Sequence, residues 1–205
     1  VSKIVFVNKV DPEVYETELK KYIAEHSNLS EVDAKHKFNI EESERHFYVD
    51  DNGDPNMFEF TLESIGVIPP ETILLQGINQ IVLKLKKFSA ELEKTLKSNK
   101  SSVTIKETKS LMKAFDITIE NETHTLGHLL QSHINKFNKS KDIFVGYKNP
   151  HPLDKKIMIR LKVDDINQVK SVLQDTVAKL TKICIDMEKD VSKHFKLSDS
   201  KKPKK

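Results

Sequence analysis

The sequence predicts an α+β fold of two modules, in which antiparallel sheets pack against long amphipathic helices. Apolar and polar residues alternate over several short segments, which is typical of half-buried strands. Over two long segments, apolar residues recur every three or four positions, which is typical of helices with one buried face. A helix of about seven turns with a single apolar stripe needs a partner surface, so we expect both long helices to pack against a sheet.

The chain has 205 residues, enough for one large or two small domains. Its net charge of +3 is lower than phosphate contacts alone would require of a nucleic-acid-binding domain. No apolar run reaches the ~18 residues of a membrane span, so we expect no membrane partner. The single cysteine, Cys184, excludes an internal disulfide and a zinc ribbon and is consistent with a reducing compartment.

The first region, residues 1–55, is polar and mixed in character. We expect Ile4–Val7 to form a short strand. We expect Asp11–Glu13 to start a helix, because proline stands early and acidic residues lie near the N-terminus. His46–Val49 is expected to form another strand, followed by a turn at Asp51–Pro55.

The second region, residues 56–97, predicts a strand followed by a long helix. Side-chain character alternates over Met57–Ser64, as in a strand with one buried face. After a break, the helix is expected to begin at Pro70. Its apolar stripe consists of Leu74, Ile78, Ile81, Leu85, Phe88, Leu92 and Leu96. A short polar linker is predicted at residues 98–102.

The third region, residues 103–196, predicts two strands, a helix, two more strands and a last long helix. The expected strands are 103–108, 113–120, 143–148 and 156–163, and the expected helices are 124–137 and 166–194. The stripe of the last helix consists of Ile166, Val169, Leu173, Val177, Leu180, Cys184, Met187 and Val191. The position of Cys184 on this stripe indicates a core or interface residue and not a nucleophile. The Lys-rich tail, residues 197–205, is expected to be disordered.

A helix-start motif lies at residues 122–130. Thr123 and Thr125 can each cap a helix, and Glu122 is favourable at its positive end. Gly127 costs about 1 kcal/mol relative to Ala within a helix, so we expect another backbone to approach it closely. From the physics of the residues alone, an ordinary capped core helix is the preferred interpretation.

Three further features have both a functional and a structural interpretation. His124 and His128 are four residues apart and could form a metal pair, but the H-E-x-x-H pattern is absent. The segment Pro150–Pro152 removes two backbone donors, so it is either a preformed contact loop that displays His151 or merely a rigid turn. The tail Lys201–Lys205 is either solvated or a contact for nucleic acid.

Five short segments occur in a fixed order in the third region. They are Phe115-Asp116-Ile117, His124-Thr125-Leu126-Gly127, Gly146-Tyr147-Lys148, Pro150-His151-Pro152-Leu153 and Ile157-Met158-Ile159-Arg160. With these segments in this order and spacing, residues 103–195 resemble the small alpha-like subunit family of multi-subunit RNA polymerases. That family includes the archaeal L-type subunit and the eukaryotic small assembly subunits.

The segments Phe58–Gly66 and Ile68–Glu71, with the long helix after them, are similar to the end of the larger alpha-like subunit. The archaeal D-type subunit, the third-largest eukaryotic subunit and, more distantly, the bacterial alpha N-terminal domain belong to that family. Two subunits that are separate chains in cells are here joined, and such a fusion resembles the polymerase of nucleocytoplasmic large DNA viruses. An extra strand-rich part and a cysteine cluster of the larger subunit are not seen. We therefore interpret the sequence as the C-terminal portion of a longer fused subunit, with residues 1–55 as the remnant of an inserted domain.

The resemblance implies an assembly role without catalysis, cofactor or metal, since the catalytic magnesium belongs to the large subunits. It implies that two alpha-like halves pair within the chain through Leu74, Ile78, Ile81, Leu85, Leu92, Val169, Leu173, Val177, Leu180, Cys184 and Met187. It implies contact with the large subunits through His124, Thr125, Leu126, Gly127, Gly146, Tyr147, Lys148, Pro150, His151, Pro152 and Leu153. The implied partners are the two large catalytic subunits and small polymerase subunits, in host cytoplasm and virion if the protein is viral, with nucleic acid reached only indirectly.

Two rival functions follow from the residues alone. A free-standing nucleic-acid-binding module would use the basic tail, and a metal-dependent enzyme would use His124 and His128. The scattered charge and the lack of tryptophan argue against the first rival.

Overall fold

The computed structural model describes residues 1–42, 45–97, 101–108, 113–138, 143–151 and 153–195. Some predicted features lie outside the described residues, namely Pro152, residues 98–100 of the linker, the side chain of Leu96 and the Lys-rich tail. Internal contacts divide the chain into two compact units, Val1–Pro70 and Glu71–Lys205. The predicted module limits of 1–55, 56–97 and 103–196 stay predictions, whereas the α+β fold class is confirmed.

Within its described residues, the first unit contains two strands and two helices. They are β1 (Lys3–Asn8), α1 (Pro12–Glu25), α2 (Glu31–Glu41) and β2 (Phe58–Glu63). As expected, α1 begins beside Asp11, whose carboxylate accepts a hydrogen bond from the Glu13 amide at 3.0 Å. The helix α2 was not expected. It begins after Ser30, whose hydroxyl oxygen accepts a hydrogen bond from the Asp33 amide at 3.2 Å.

The core of the first unit is small and centres on Phe38 of α2. Phe38 is buried together with Leu19 and Ala34. The rings of Tyr15 and Tyr22 on α1 meet the Phe38 ring edge-on, at centroid distances of 5.3 and 5.4 Å. These aromatic contacts hold α1 against α2.

Two strand predictions for the first unit need correction. Residues 46–49 form only isolated bridges, Val10 to Phe47 and Val49 to Pro55, instead of a strand. The strand β2 exists, but the face that was expected to be buried is open, and Phe60 is 67% exposed. The reason is that β2 pairs antiparallel with β1 in a two-stranded sheet, which has little capacity to bury either face.

The second unit follows the predicted order of elements, with limits within two residues of those expected for residues 103–194. It contains α3 (Pro70–Lys97, which begins on the last residue of the first unit), β3 (Val103–Glu107), β4 (Phe115–Glu120), α4 (His124–Phe137), β5 (Phe144–Lys148), β6 (Lys156–Lys162) and α5 (Ile166–His194). The four strands form one antiparallel sheet in the order β3-β4-β6-β5.

One face of this sheet lines the main core. The register places Ile117 between Ile105 and Ile159, and Ile159 beside Tyr147, in a row across the four strands. Buried residues of α3, α4 and α5 belong to the same apolar cluster as this face, whereas the opposite face carries mainly polar and charged side chains besides Phe144 and Met158. The helices therefore pack on one side of the sheet only.

The C-terminal end of α3 is tied to the start of β3 through Glu91. The Glu91 carboxylate accepts hydrogen bonds from the Ser102 amide at 3.0 Å and from the hydroxyls of Ser101 and Ser102 at 3.1 Å. Lys94 approaches the same carboxylate at 2.6 Å. Together these donors lower the pKa of Glu91 to about 2, and the hydrogen bond from Lys94 makes the largest contribution. Ser101 and Ser102, expected to be part of a plain linker, are thus hydrogen-bonded to α3.

Candidate functional site

The two motifs predicted as a contact site meet in space at Tyr147. Its hydroxyl lies 2.7 Å from Nδ1 of His124, and its ring centroid is 4.4 Å from that of His128. A Cβ atom placed on Gly127 would lie 2.1 Å from Cε2 of Tyr147. The expectation of a close approach at Gly127 is right, but the approaching group is an aromatic side chain and not another backbone.

The Tyr147 hydroxyl is protonated at neutral pH, because an ordinary tyrosine has a pKa of about 10 and burial raises the pKa of Tyr147 further. The hydrogen bond of this hydroxyl engages Nδ1 of His124, one of the two ring nitrogens through which a histidine can bind a metal. Over the described ranges, no group of three or more His, Cys, Asp or Glu residues is arranged to hold a metal ion.

The start of α4 is organised by an ion pair and not by a threonine cap. Thr123 occupies the N-cap position but makes no side-chain hydrogen bond to the helix. Glu122 is only 6% exposed, and its carboxylate lies 2.7 Å from the ammonium group of Lys84 on α3. Sequence reasoning placed Glu122 at the helix dipole and missed Lys84, because the two residues are far apart in the chain. The pair links α3 directly to the helix-start motif.

The apolar stripes of α3 and α5 line one shared core. Buried members of the predicted pairing interface are Ile78, Leu85, Leu92, Val169, Leu173, Val177, Leu180 and Cys184, with Ile81 partly buried against them. Leu74 and Met187 are exposed, toward the N-terminal end of α3 and the C-terminal end of α5. The side-chain amide of Asn79 donates a hydrogen bond to the Glu188 carboxylate at 3.4 Å, so these two helix ends lie close together.

Cys184 is a core residue in this arrangement. It is buried on α5, and burial raises the pKa of its thiol. A thiol with a raised pKa holds little thiolate at neutral pH and is a poor nucleophile.

The turn between β5 and β6 is held together by His151. Its Nδ1 accepts a hydrogen bond from the Leu153 amide at 3.2 Å, and its carbonyl accepts one from the Asp154 amide at 3.1 Å. His151 is exposed, as expected, and Leu153 is 87% exposed. Pro150 precedes this turn, which therefore presents an apolar side chain at its tip.

The sheet face that points away from the helices joins two more of the predicted motif segments. Arg160 on β6 donates two parallel hydrogen bonds to the carboxylate of Asp116 on β4, at 2.6 and 2.7 Å. The Arg160 guanidinium lowers the pKa of Asp116. Such a bidentate pair fixes the orientation of the arginine side chain.

The fold is an α+β module in which an antiparallel sheet carries long helices on one face. Residues 114–190 match the RNA polymerase Rpb3/Rpb11 dimerisation domain. The chain is 35% identical over 92 residues to the DNA-directed RNA polymerase subunit Rpo11 of Saccharolobus islandicus, covering 43% of this chain and 98% of that protein. The chain therefore belongs to the RNA polymerase Rpb3/Rpb11 dimerisation domain family.

Two nematode proteins show a shorter similarity. The chain is 36% identical over 63 residues to a probable DNA-directed RNA polymerase II subunit RPB11 of Caenorhabditis briggsae, and 47% identical over 45 residues to that of Caenorhabditis elegans. These matches cover 31% and 22% of this chain. The matched segments span 50% of the Caenorhabditis briggsae protein and 35% of the Caenorhabditis elegans protein.

In the parts of the chain that the structure describes, no helix combines the length and the apolar character of a membrane span.

Proposed function

We propose that this chain is a non-catalytic assembly subunit of a DNA-directed RNA polymerase. In this role it forms the platform on which the two large catalytic subunits dock, together with small polymerase subunits. Nucleic acid is reached only through the complex. The family membership supports this role, because a dimerisation domain supplies packing surface and not reacting groups.

One observation carries the proposal: the stripes of α3 and α5 share a single core within one chain. Ile78, Leu85 and Leu92 of α3 are buried in the same cluster as Leu173 and Leu180 of α5. In the proposed arrangement, the long helix of one alpha-like half packs with the other half without a second chain. The ion pair between Lys84 and Glu122 supports the same pairing.

The finer assignment is a fusion of two alpha-like halves, with residues 56–97 from the larger subunit and residues 103–196 as the smaller. We place this fused subunit in the polymerase of a nucleocytoplasmic large DNA virus, acting in host cytoplasm and packaged in the virion. Mass spectrometry of purified virions tests this assignment. Recovery of the chain together with the two large subunits is expected, and its absence from virions that contain those subunits would contradict the packaging.

The assembly role is tested by co-purification of the tagged chain from cells that make the whole polymerase. Both large subunits should be retained in stoichiometric amounts. Leu153→Asp should reduce their retention while leaving thermal stability unchanged, because Leu153 is exposed. Val32→Asp, at an apolar position on α2 that is also largely exposed, is the matched control and should retain them. Incorporation of nucleotides into RNA by the purified chain would refute the non-catalytic role.

A further inference from the structure

The sheet face opposite the helices is a basic surface. The register places Lys106, Asp116, Arg160 and Gly146 in one row across the four strands. Because side chains alternate between the two faces of a strand, the same face carries five basic side chains, namely Lys106, Lys148, Lys156, Arg160 and Lys162. The acidic side chains that the strands place on this face are Asp116 and Glu120, so the strands contribute a net charge of +3. Asp154, in the turn before β6, pairs with Lys156 at 2.8 Å. This surface is referred to as the outer face.

A shallow cleft of about 170 Å³ lies on the outer face above Gly146. It is lined by Phe144, Lys148, Met158 and Arg160, and it exists because Gly146 has no side chain between Phe144 and Lys148. Small-molecule sites usually enclose roughly 300 Å³ or more, so this cleft is too small for a cofactor. Its size and its apolar walls suit a single apolar side chain.

The cleft lies beside a free strand edge. β5 is a terminal strand of the sheet, and within the described residues it pairs with β6 alone. An antiparallel strand uses alternate backbone groups for one neighbour, which leaves the others directed to its open side. Phe144, at the start of β5, is 59% exposed. An open edge with an exposed aromatic residue is the arrangement to which an extended peptide adds as a further strand.

The chemistry of the outer face favours a protein segment over nucleic acid. Sheets that bind single-stranded nucleic acid stack successive bases on several aromatic side chains. On the strands of this outer face, Phe144 is the single aromatic residue. The guanidinium of Arg160, moreover, already holds the carboxylate of Asp116. What remains is a largely apolar cleft with Lys148 at its wall, which complements an apolar side chain next to a carboxylate.

We propose that an extended acidic segment of a partner protein docks along β5. The segment pairs with the free edge of β5, seats one apolar side chain in the cleft above Gly146 and places a carboxylate near Lys148. This inference rests on the proposed assembly role, since the segment then belongs to another polymerase subunit.

The segment can be identified by photo-crosslinking in the assembled polymerase. A benzophenone amino acid at position 144 of the full chain reacts with whatever occupies the cleft, and mass spectrometry reads the attached peptide. We expect a polymerase-subunit peptide with more acidic than basic residues and an apolar residue at the crosslink. Crosslinks to nucleic acid alone or to a basic peptide, or a complete complex without any crosslink, would overturn the inference and leave the assembly role intact. Loss of the large subunits from the wild-type complex would instead refute the assembly role.

Three variants of the chain then measure the contact with a synthetic copy of the crosslinked peptide. Gly146→Val fills the cleft, and it should weaken binding roughly tenfold or more, since the apolar side chain loses its place. The fold has room for the first carbon of this side chain, because a Cβ atom at Gly146 would meet the Phe144 ring at an ordinary 3.5 Å. Lys148→Glu should weaken binding by roughly fivefold, and an acid-to-lysine change in the peptide should restore it.

Lys182→Glu, an exposed control on α5, should have no effect on peptide binding. Unchanged affinity in Gly146→Val would overturn the docking mode.

Discussion

The ring of Tyr147 on β5 fills the position that a side chain at Gly127 on α4 would need, since a Cβ atom at residue 127 would lie 2.1 Å from Cε2 of the ring. The glycine lets the helix lie directly on the ring, and the ring in turn reaches His124 with its hydroxyl. This contact joins α4 to the terminal strand of the sheet. It explains why a residue that is poor in helices stands in the second turn of α4.

The Gly127–Tyr147 contact can be measured with a double-mutant cycle. Gly127→Ala should lower the free energy of unfolding by about 1–3 kcal/mol, because overpacking outweighs the better helix propensity of alanine. In a Tyr147→Ala background the ring is gone, and the same change should raise stability by up to about 1 kcal/mol. Urea unfolding of the wild type, the two single variants and the double variant gives the coupling free energy between the two residues. Additive effects would show that the two residues are not in contact.

Loss of Lys84 should leave the buried carboxylate of Glu122 without its cation. We expect Lys84→Met to cost about 1–2 kcal/mol, the lower part of the range for an unpaired buried group, because the lysine side chain is partly exposed to solvent. Adding Glu122→Met should recover much of the loss, since the uncompensated charge is then removed. Lys87→Met, exposed on the same helix, is the control for denaturant unfolding. Equal losses for Lys84→Met and Lys87→Met would argue against a stabilising pair.

Leu180 lies in the middle of the shared core. Leu180→Asp should destabilise the chain by about 4 kcal/mol or more, because it buries a carboxylate without a partner. Ile183→Asp, three residues along the same helix, should cost far less, since Ile183 is 41% exposed. Thermal unfolding followed by circular dichroism compares the two variants. If both lowered the melting temperature equally, the buried face of α5 would be wrongly assigned.

Thr176 carries an unsatisfied polar group inside the core. It is 1% exposed, and its hydroxyl oxygen has no hydrogen-bond partner in the described part of the chain. Thr176→Val keeps the shape and removes the hydroxyl, so it should raise the free energy of unfolding by about 1 kcal/mol. Thr181→Val on the same helix is the contrast, because the Thr181 hydroxyl donates to the Val177 carbonyl at 2.8 Å. A loss of stability in Thr176→Val would reveal a partner for the hydroxyl.

Glu91 should make the stability depend on pH in the acid range. Its pKa of about 2 in the folded chain lies below the value of about 4.3 of an unfolded glutamate, so the ionised form favours folding. The contribution is complete above about pH 5 and is lost as the pH falls toward 2. Glu91→Gln should therefore lower the urea midpoint at pH 6, and its difference from wild type should shrink steadily below about pH 4.5. A difference that stays constant down to pH 3 would contradict the depressed pKa.

Local patterns were sufficient for the elements of the second unit. The limits of α4 and α5 agree with the apolar periodicity, because a long helix with one buried face repeats its signal over many turns. Helix α2 was not predicted from the sequence, because the apolar periodicity of this segment is weak. The cap formed by Ser30 and Asp33 was the available signal. The alternation in β2 correctly indicated a strand, but burial depends on what covers a sheet, and alternation does not contain that information.

The spacing of neighbouring residues was enough to predict the α+β class, the order of strands and helices in the second unit and the apolar stripes of the long helices. The folded chain was needed to show which distant residues meet: the ring of Tyr147 at Gly127, and Lys84 at Glu122. Contacts of this kind depend on how packed elements fill space and pair charges, and residues far apart in the chain leave no local periodicity that records them.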